Sequence, residues 1–334
     1  MKAFVVEHYG DADTVRAADV PDPQMGDNDV LVRIRAASVN PLDLKTRDGD
    51  LKAILPYKAP FVLGNDLAGE VVAVGAHVTR FTVGDEVYAR PDQNRIGAFA
   101  ELIAIHQNDV ATKPATLTME EAASVPLVGL TAWQALVERA NLQPGQKVLI
   151  HAGAGGLGTI AIQLAKHLGA HVATTASAAK TDLVKSLGAD IVIDYRTQAF
   201  ETLLHDYDLV LDTVGGDTLD KSLQVLKPGG TVISVSGPPD PTFAKQLGAN
   251  PVIRLAMTAL SYRIRRRARR RHATYSFLFM KASGDQLREL TALIDAGTIR
   301  PVVDSVFDFE QTREALAYVE HGRAKAGKVV VRMK

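Results

Sequence analysis

The sequence predicts an α/β protein in which a doubly wound parallel sheet is joined to a second, β-rich domain, and three observations carry that prediction. A G-x-G-x-x-G loop at Gly153, Gly155 and Gly158 falls between a strand and a helix, and strands alternate with helices from Lys147 onward. The first third of the chain, by contrast, holds short β-branched runs and no long helix. At 334 residues the chain is also longer than one core usually grows, which favours two domains.

The opening runs Lys2–Glu7, Asp29–Ala37, Ala68–Val74, Glu86–Ala89 and Ala98–Ile105 are separated by Gly, Pro and Asp, the punctuation of short strands. The first ten residues alternate and reach a turn, so they read as a strand and not as a targeting leader. Thr118 and Glu121 have capping-box spacing, and the Ala-rich text after them has helical period. Strands follow at Lys147–His151, His171–Ala176, Asp190–Asp194, Leu209–Thr213 and Thr231–Ser236, with helices at Leu157–Leu168 and Thr181–Leu187. Gly169 and Gly188 stand where a left-handed cap ends each of those helices. A strand at Tyr275–Phe279, an amphipathic helix at Asp285–Asp295 and a closing strand at Lys328–Met333 complete the pattern. The expected domains are 1–122 completed by 282–334, with 123–281 between them.

Charge and cysteine narrow the function. Lys plus Arg and Asp plus Glu each total 38, so no global field draws the chain to nucleic acid or membrane, and nucleic acid is not an expected partner. No apolar run reaches the roughly eighteen residues of a membrane span, and the chain reads as cytoplasmic. The absence of cysteine excludes disulfides, thiolate nucleophiles and thiolate metal sites. His167 and His171 have the spacing of a helical metal pair, but Gly169 ends the helix between them, and no metal site is expected. The neutral total is a cancellation. Seven arginines fall in the nine residues Arg263–Arg271, so the remainder is net −7 by subtraction from zero. No aromatic residue interrupts the run, which removes base-stacking platforms. It is either a solvated, acid-paired helix, a foothold for phosphate-bearing partners, or a lid.

The glycine loop carries the clearest chemistry. Val148–His151 runs into Gly153, Gly155, Gly156, Leu157 and Gly158 and then into helical text, so a pyrophosphate would rest on backbone N–H groups at the helix start. An NAD site places an acid about twenty residues further on. Thr159 through Thr181 contains none, and offers Ser177 and Lys180 instead, with Tyr195 after the next strand. A hydroxyl and an ammonium suit a 2′-phosphate, which points to NADP(H).

Longer motifs then add a resemblance. Val39–Gly49 with its Asn-Pro-Leu-Asp start, Gly64–Gly75, Phe81–Tyr88, Gly97–Glu101, Gly129–Trp133, Gly145–Gly158 and the closing Gly327–Val331 occur in order along nearly the whole chain. Together they resemble the medium-chain dehydrogenase/reductase superfamily, and more closely its zinc-independent quinone oxidoreductase and 2-alkenal reductase branch. The resemblance implies a GroES-like β-barrel domain split between the chain's two ends, a Rossmann-type sheet, and a cleft for nicotinamide and substrate. Zinc-dependent relatives carry a Cys near Asn40 and Gly-His-Glu where this chain has Gly64-Asn65-Asp66; those ligands are missing here. The resemblance also implies cofactor contacts at Thr131, Val214, Gly237, Phe279 and Lys328, beside the loop residues, Ser177, Lys180 and Tyr195.

Without zinc to polarise a carbonyl, the expected acceptors are quinones and α,β-unsaturated carbonyls. A donor at the developing enolate oxygen would help, and Asn40 and Lys45 are the candidates. Each also has a plain reading, Asn40 as a turn residue and Lys45 as a solvent-facing lysine. Tyr57 and Phe61 either shape an apolar substrate mouth or simply pack, and Asp43 ties down its loop. Two alternatives stay open: a carbonyl or alcohol dehydrogenase of the same fold, and a non-enzymatic binding protein using the arginine run. The partner is otherwise a small-molecule substrate, and the family suggests homodimers.

Overall fold

The strand Asp29–Val39 organises the first unit, because its apolar residues alternate into the core while both its edges find partners. The computed structural model describes residues 1–333. Asp29–Val39 pairs antiparallel with Asp66–Val74, Leu102–His106 and Lys328–Arg332. Glu86–Ala89 and Val110–Thr112 extend one side of this sheet, and Val303–Asp308 joins Lys328–Arg332 in parallel on the other. A smaller sheet of Val15–Asp19, Lys2–Val6 and Phe61–Val62 completes the unit's strands. Phe4, Val32, Ile34, Leu67, Phe99 and Phe309 fill the core, with Phe4 and Phe309 meeting edge to face at 5.2 Å.

The second unit is a single sheet of six parallel strands. Across the sheet they run Ile191–Asp194, His171–Ala176, Lys147–Ile150, Tyr207–Asp212, Leu226–Ser234 and Thr274–Phe277. In the order in which the chain meets them this is 3-2-1-4-5-6, the doubly wound order that collects ligands at the strands' carboxyl ends. Val148, Leu149 and Ile150 of its central strand are fully buried, as a sheet covered by helices on both faces requires.

The two units comprise Met1–Leu130 with Lys281–Lys334, and Thr131–Met280. The chain therefore leaves the first unit inside the helix Pro126–Trp133, further along than residue 122. Other boundaries also differ from the sequence reading. Ala98–Glu101 is not strand: Phe99 and Ala98 donate to Leu63 and Gly64 across a loop, and regular pairing begins at Leu102. Leu226–Ser234 starts earlier than Thr231, through a bulge that shifts register between Tyr207 and Leu209. The last strand of the parallel sheet ends at Phe277, so Phe279 lies beyond it, its ring tilted against Phe243 at 5.7 Å.

A helix at Pro41–Asp48 replaces the expected loop. Pro41 occupies its first turn, Asp43 Oδ2 accepts from the Asn40 N–H at 2.8 Å, and Gly49 closes it at φ 82°. The arginine run forms the helix Tyr262–Arg270, which follows Pro251–Leu260 and precedes Thr274–Phe277.

Candidate functional site

The glycine loop uses each of its glycines differently. A Cβ on Gly153 would lie 2.0 Å from Thr174 Oγ1, and one on Gly158 would lie 2.4 Å from the Ala152 carbonyl. Those two glycines let the turn and helix pack on the sheet. A Cβ on Gly155 would meet only the Ala152 carbonyl, at 3.3 Å, so its free space faces outward. Gly155 caps the helix Gly156–His167 with no side chain, which leaves the N–H groups of Gly156, Leu157 and Gly158 without a side-chain acceptor. Backbone donors, positive helix end and open approach together fit a pyrophosphate.

Register brings the 2′-phosphate candidates together. Ala176 pairs with Asp194 at the ends of neighbouring strands, so Ser177 and Tyr195 emerge side by side at the carboxyl edge. Lys180 follows in the turn Ala178–Lys180, half-buried, and Tyr195 is exposed. Sequence reading missed Arg196, whose guanidinium lies 5.8 Å from the Tyr195 ring centroid and adds a second cation beside this edge. Its one signal was a basic residue two places beyond a strand end.

The next two strand ends are held by Asp212. Its carboxylate accepts from Ser234 Oγ at 2.5 Å and from the Gly215 N–H at 3.0 Å, fixing the turn that exposes Val214. Gly237 donates to Ser234 Oγ at 2.7 Å, and a Cβ there would lie 2.6 Å from the Tyr275 hydroxyl. Thr131 is buried in the helix that opens this unit. His151, after the central strand, lies between Thr175 Oγ1 and Ser222 Oγ. Burial pushes its imidazole down to about 4, so it is neutral at physiological pH.

In the first unit, register builds a buried polar cluster from distant residues. Val39 pairs with Val329, and Ser38 with both Val330 and Asp66, so Asn40, Asp66 and Lys328 converge at one end of three strands. Lys328 Nζ donates to Asn40 Oδ1 at 2.5 Å and to the Val39 carbonyl at 3.1 Å, and pairs with Asp66 Oδ2 at 3.3 Å. That Asp66 oxygen also accepts from Asn40 Nδ2 and Ser38 Oγ, each at 2.8 Å, while Asp66 Oδ1 accepts from the Leu127 N–H at 2.7 Å. Asn65 Nδ2 donates to Asp43 Oδ1 at 2.7 Å. Burial pushes the Asp43 carboxyl up to about 6, against the lowering effect of its bonds from Asn65 and Asn40.

These bonds decide what each candidate can offer. Asn40 spends its amide on Asp66 and Lys328, and Lys328 spends its ammonium on Asn40, Asp66 and Val39. Lys45 stands exposed on its helix. Tyr57 donates to the Gln93 carbonyl at 2.5 Å, and burial raises its hydroxyl to about 12. Its ring packs on Phe61 at 5.1 Å, and Phe61 on Tyr9 at 5.7 Å.

Arg90 is the second residue that sequence reading missed. It is 1% exposed, its Nη1 donates to the Pro91 carbonyl at 2.7 Å, and its Nε has no partner among the described residues. Burial lowers its pKa; Tyr57, Asp66, Asp92 and Asp109 oppose that by charge alone. Arg47, equally buried, shows the usual solution, a paired hydrogen bond to both Glu320 oxygens at 2.7 and 3.1 Å. A lone arginine after a strand gives no sequence signal of such isolation.

Comparison with known proteins places these features. Residues 26–115 match the family described as alcohol dehydrogenase GroES-like domain, and residues 187–331 the one described as zinc-binding dehydrogenase. The chain is 36% identical to the 2-methylene-furan-3-one reductase of Solanum lycopersicum and 36% identical to the chloroplastic NADPH-dependent alkenal/one oxidoreductase of Arabidopsis thaliana. Each match covers 99% of this chain and 79% of the relative. The solved structure of the Coxiella burnetii quinone oxidoreductase superposes with a TM-score of 0.87 at 32% identity, covering 100% of this chain and 99% of that one.

Proposed function

The chain belongs to the medium-chain dehydrogenase/reductase superfamily, in its zinc-independent quinone oxidoreductase and enone reductase branch, and from that premise we propose an NADPH-dependent reductase of quinones and enone C=C bonds. The observation that carries this reading is the saturated cluster of Asn40, Asp66 and Lys328. Asn40 and Asp66, which stand where the resemblance puts ligands in zinc-dependent relatives, are engaged with each other and with Lys328. Help for the acceptor oxygen must then come from another cation.

In this reading the N–H groups of Gly156, Leu157 and Gly158 hold the pyrophosphate, and Ser177, Lys180, Tyr195 and Arg196 hold the 2′-phosphate. Thr131, Val214, Gly237 and Phe279 line the cofactor's path. NADPH held there would supply a hydride to the β-carbon of an enone, and the electron pair would pass to the carbonyl oxygen. Arg90, always protonated and short of partners, donates to that oxygen. Lys45, exposed and able to recharge from water, delivers the proton that completes the saturated product. Asn40 and Lys328 are positioning residues that keep Asp66 from drawing on Arg90. Tyr57 and Phe61 bound the acceptor with apolar surface. We place the protein in the cytoplasm as a homodimer.

The test is NADPH fluorescence titration followed by product analysis on an enone and a quinone. A saturated carbonyl and a hydroquinone are expected; an allylic alcohol would overturn the C=C assignment. Arg90→Gln should lower turnover about a hundredfold, the usual scale for an oxyanion donor, with NADPH affinity unchanged.

A further inference from the structure

We infer that the helices Pro251–Leu260 and Tyr262–Arg270 form a docking surface for an anionic lipid bilayer. Val252, Leu255, Ala256, Ala259 and Leu260 follow helical one-face spacing, and that face is the exposed one, with Val252 76%, Leu255 72% and Leu260 64% accessible. Met257, Ser261, Ile264 and Ala268 bury the opposite side. An ordinary surface helix turns its aliphatic stripe inward; this one also turns a stripe outward.

The stripe continues as arginine. Beyond the helical turn at Ser261, steps of three and four residues lead from Ala259 to Arg263, Arg266, Arg267 and Arg270. One line of side chains thus passes from aliphatic to guanidinium, with exposed Tyr262 at the junction. Of the seven arginines in Arg263–Arg271, only Arg267 has an ion pair among the described residues, with Asp220. No acid occurs between Asp240 and Asp285, so the segment carries no compensation of its own. The rest of the chain is net negative, and an anionic surface would repel it while drawing this patch down.

Both halves of the line are satisfied by one occupant. Guanidinium forks match lipid phosphates, and Val252, Leu255 and Leu260 match the acyl boundary just beneath them. Nucleic acid would answer the arginines alone and leave the aliphatic stripe in water. A second copy of the chain would bring two arginine blocks to one interface. The arrangement suits acceptors that dissolve in lipid, but it does not depend on which reaction the protein performs.

Flotation of the full chain with phosphatidylcholine vesicles, with and without phosphatidylglycerol, tests this. Binding is expected only to the anionic vesicles, weakening about tenfold between low and high salt. The triple variant Arg263→Gln/Arg266→Gln/Arg270→Gln should abolish binding, and Val252→Asp/Leu255→Asp should weaken it about tenfold, both at an unchanged melting temperature. Three results would overturn the proposal. The anionic vesicles fail to bind; the aspartate pair leaves vesicle binding intact while an RNA oligonucleotide binds as tightly; or the aspartate pair converts an oligomer to a monomer in light scattering.

Discussion

The Asn40–Asp66–Lys328 cluster and the Gly153–Gly158 loop both place polar groups at strand ends, yet they finish the problem differently. In the cluster, Lys328, Asn40 and Ser38 meet the Asp66 carboxylate, and each has spent its hydrogen bonds. In the loop, a cap without a side chain leaves the first backbone donors of a helix open. A polar group that is buried and satisfied belongs to the architecture; one that is left unsatisfied needs a reason, and an arriving ligand is one such reason. By that criterion Arg90, although it lies in the same unit as the cluster, belongs with the loop.

Lys328→Met is the strongest way to break the comparison. It leaves Asp66 buried without its cation, which should cost about 3–5 kcal/mol in chemical denaturation. NADPH affinity of the folded variant should stay within about twofold. A variant that kept its stability and lost NADPH would move Lys328 from the architecture to the cofactor site.

Acid separates the two units with opposite signs. His151 in the second unit is held near 4, below the unfolded value of about 6.5, so its neutral form contributes stability that is lost as pH falls through that interval. Asp43 in the first unit is raised to about 6 from 3.8, so its contribution is present at low pH and lost as pH rises through 6. Each amounts to ~3 kcal/mol at most. Calorimetry from pH 4 to 7 should show His151→Gln flattening the acid side and Asp43→Asn flattening the loss towards neutrality.

Within the loop the contrast sharpens. Gly158→Ala drives a Cβ into the Ala152 carbonyl and should cost about 1–3 kcal/mol as well as NADPH binding. Gly155→Ala has an ordinary φ of −77° and one tight contact, 3.3 Å to the Ala152 carbonyl, so it should cost less than Gly158→Ala, about 1 kcal/mol at most. It should still weaken NADPH about tenfold, seen by titration, because the methyl occupies the approach to the donors.

What the sequence made legible follows the same division. The loop, the helix caps and the parallel alternation are local patterns, and the fold class, the Gly155–Gly158 turn and the placing of Ser177 and Lys180 just after a strand could be read from neighbouring residues. The cluster could not. Lys328 reaches Asn40 only because Val39 and Val329 share a register across nearly the whole chain, and no local spacing encodes that. The helix Pro41–Asp48 was hidden because its residues are too polar to show a helical hydrophobic stripe, although Pro41 and Asp43 marked its start. Arg90 was hidden for another reason: its isolation is a property of what is missing around it.

The smallest effects should come from the 2′-phosphate edge, where the contacts are exposed and screened. Lys180 is half-buried and has no ion pair among the described residues, and Arg196 stands over the face of Tyr195. Each cation should contribute about 1 kcal/mol to NADPH and nothing to NADH, since only the phosphate distinguishes the two. Lys180→Ala and Arg196→Ala should each lower the preference for NADPH over NADH about fivefold, measured as the ratio of kcat/KM values, and the loss should shrink at high salt. Stability should not move, because neither side chain closes a bond that the fold needs. If Arg196→Ala left the ratio unchanged while Lys180→Ala abolished it, the cation over Tyr195 would be ornament to the ring. The 2′-phosphate would then rest on the residues of a single strand end.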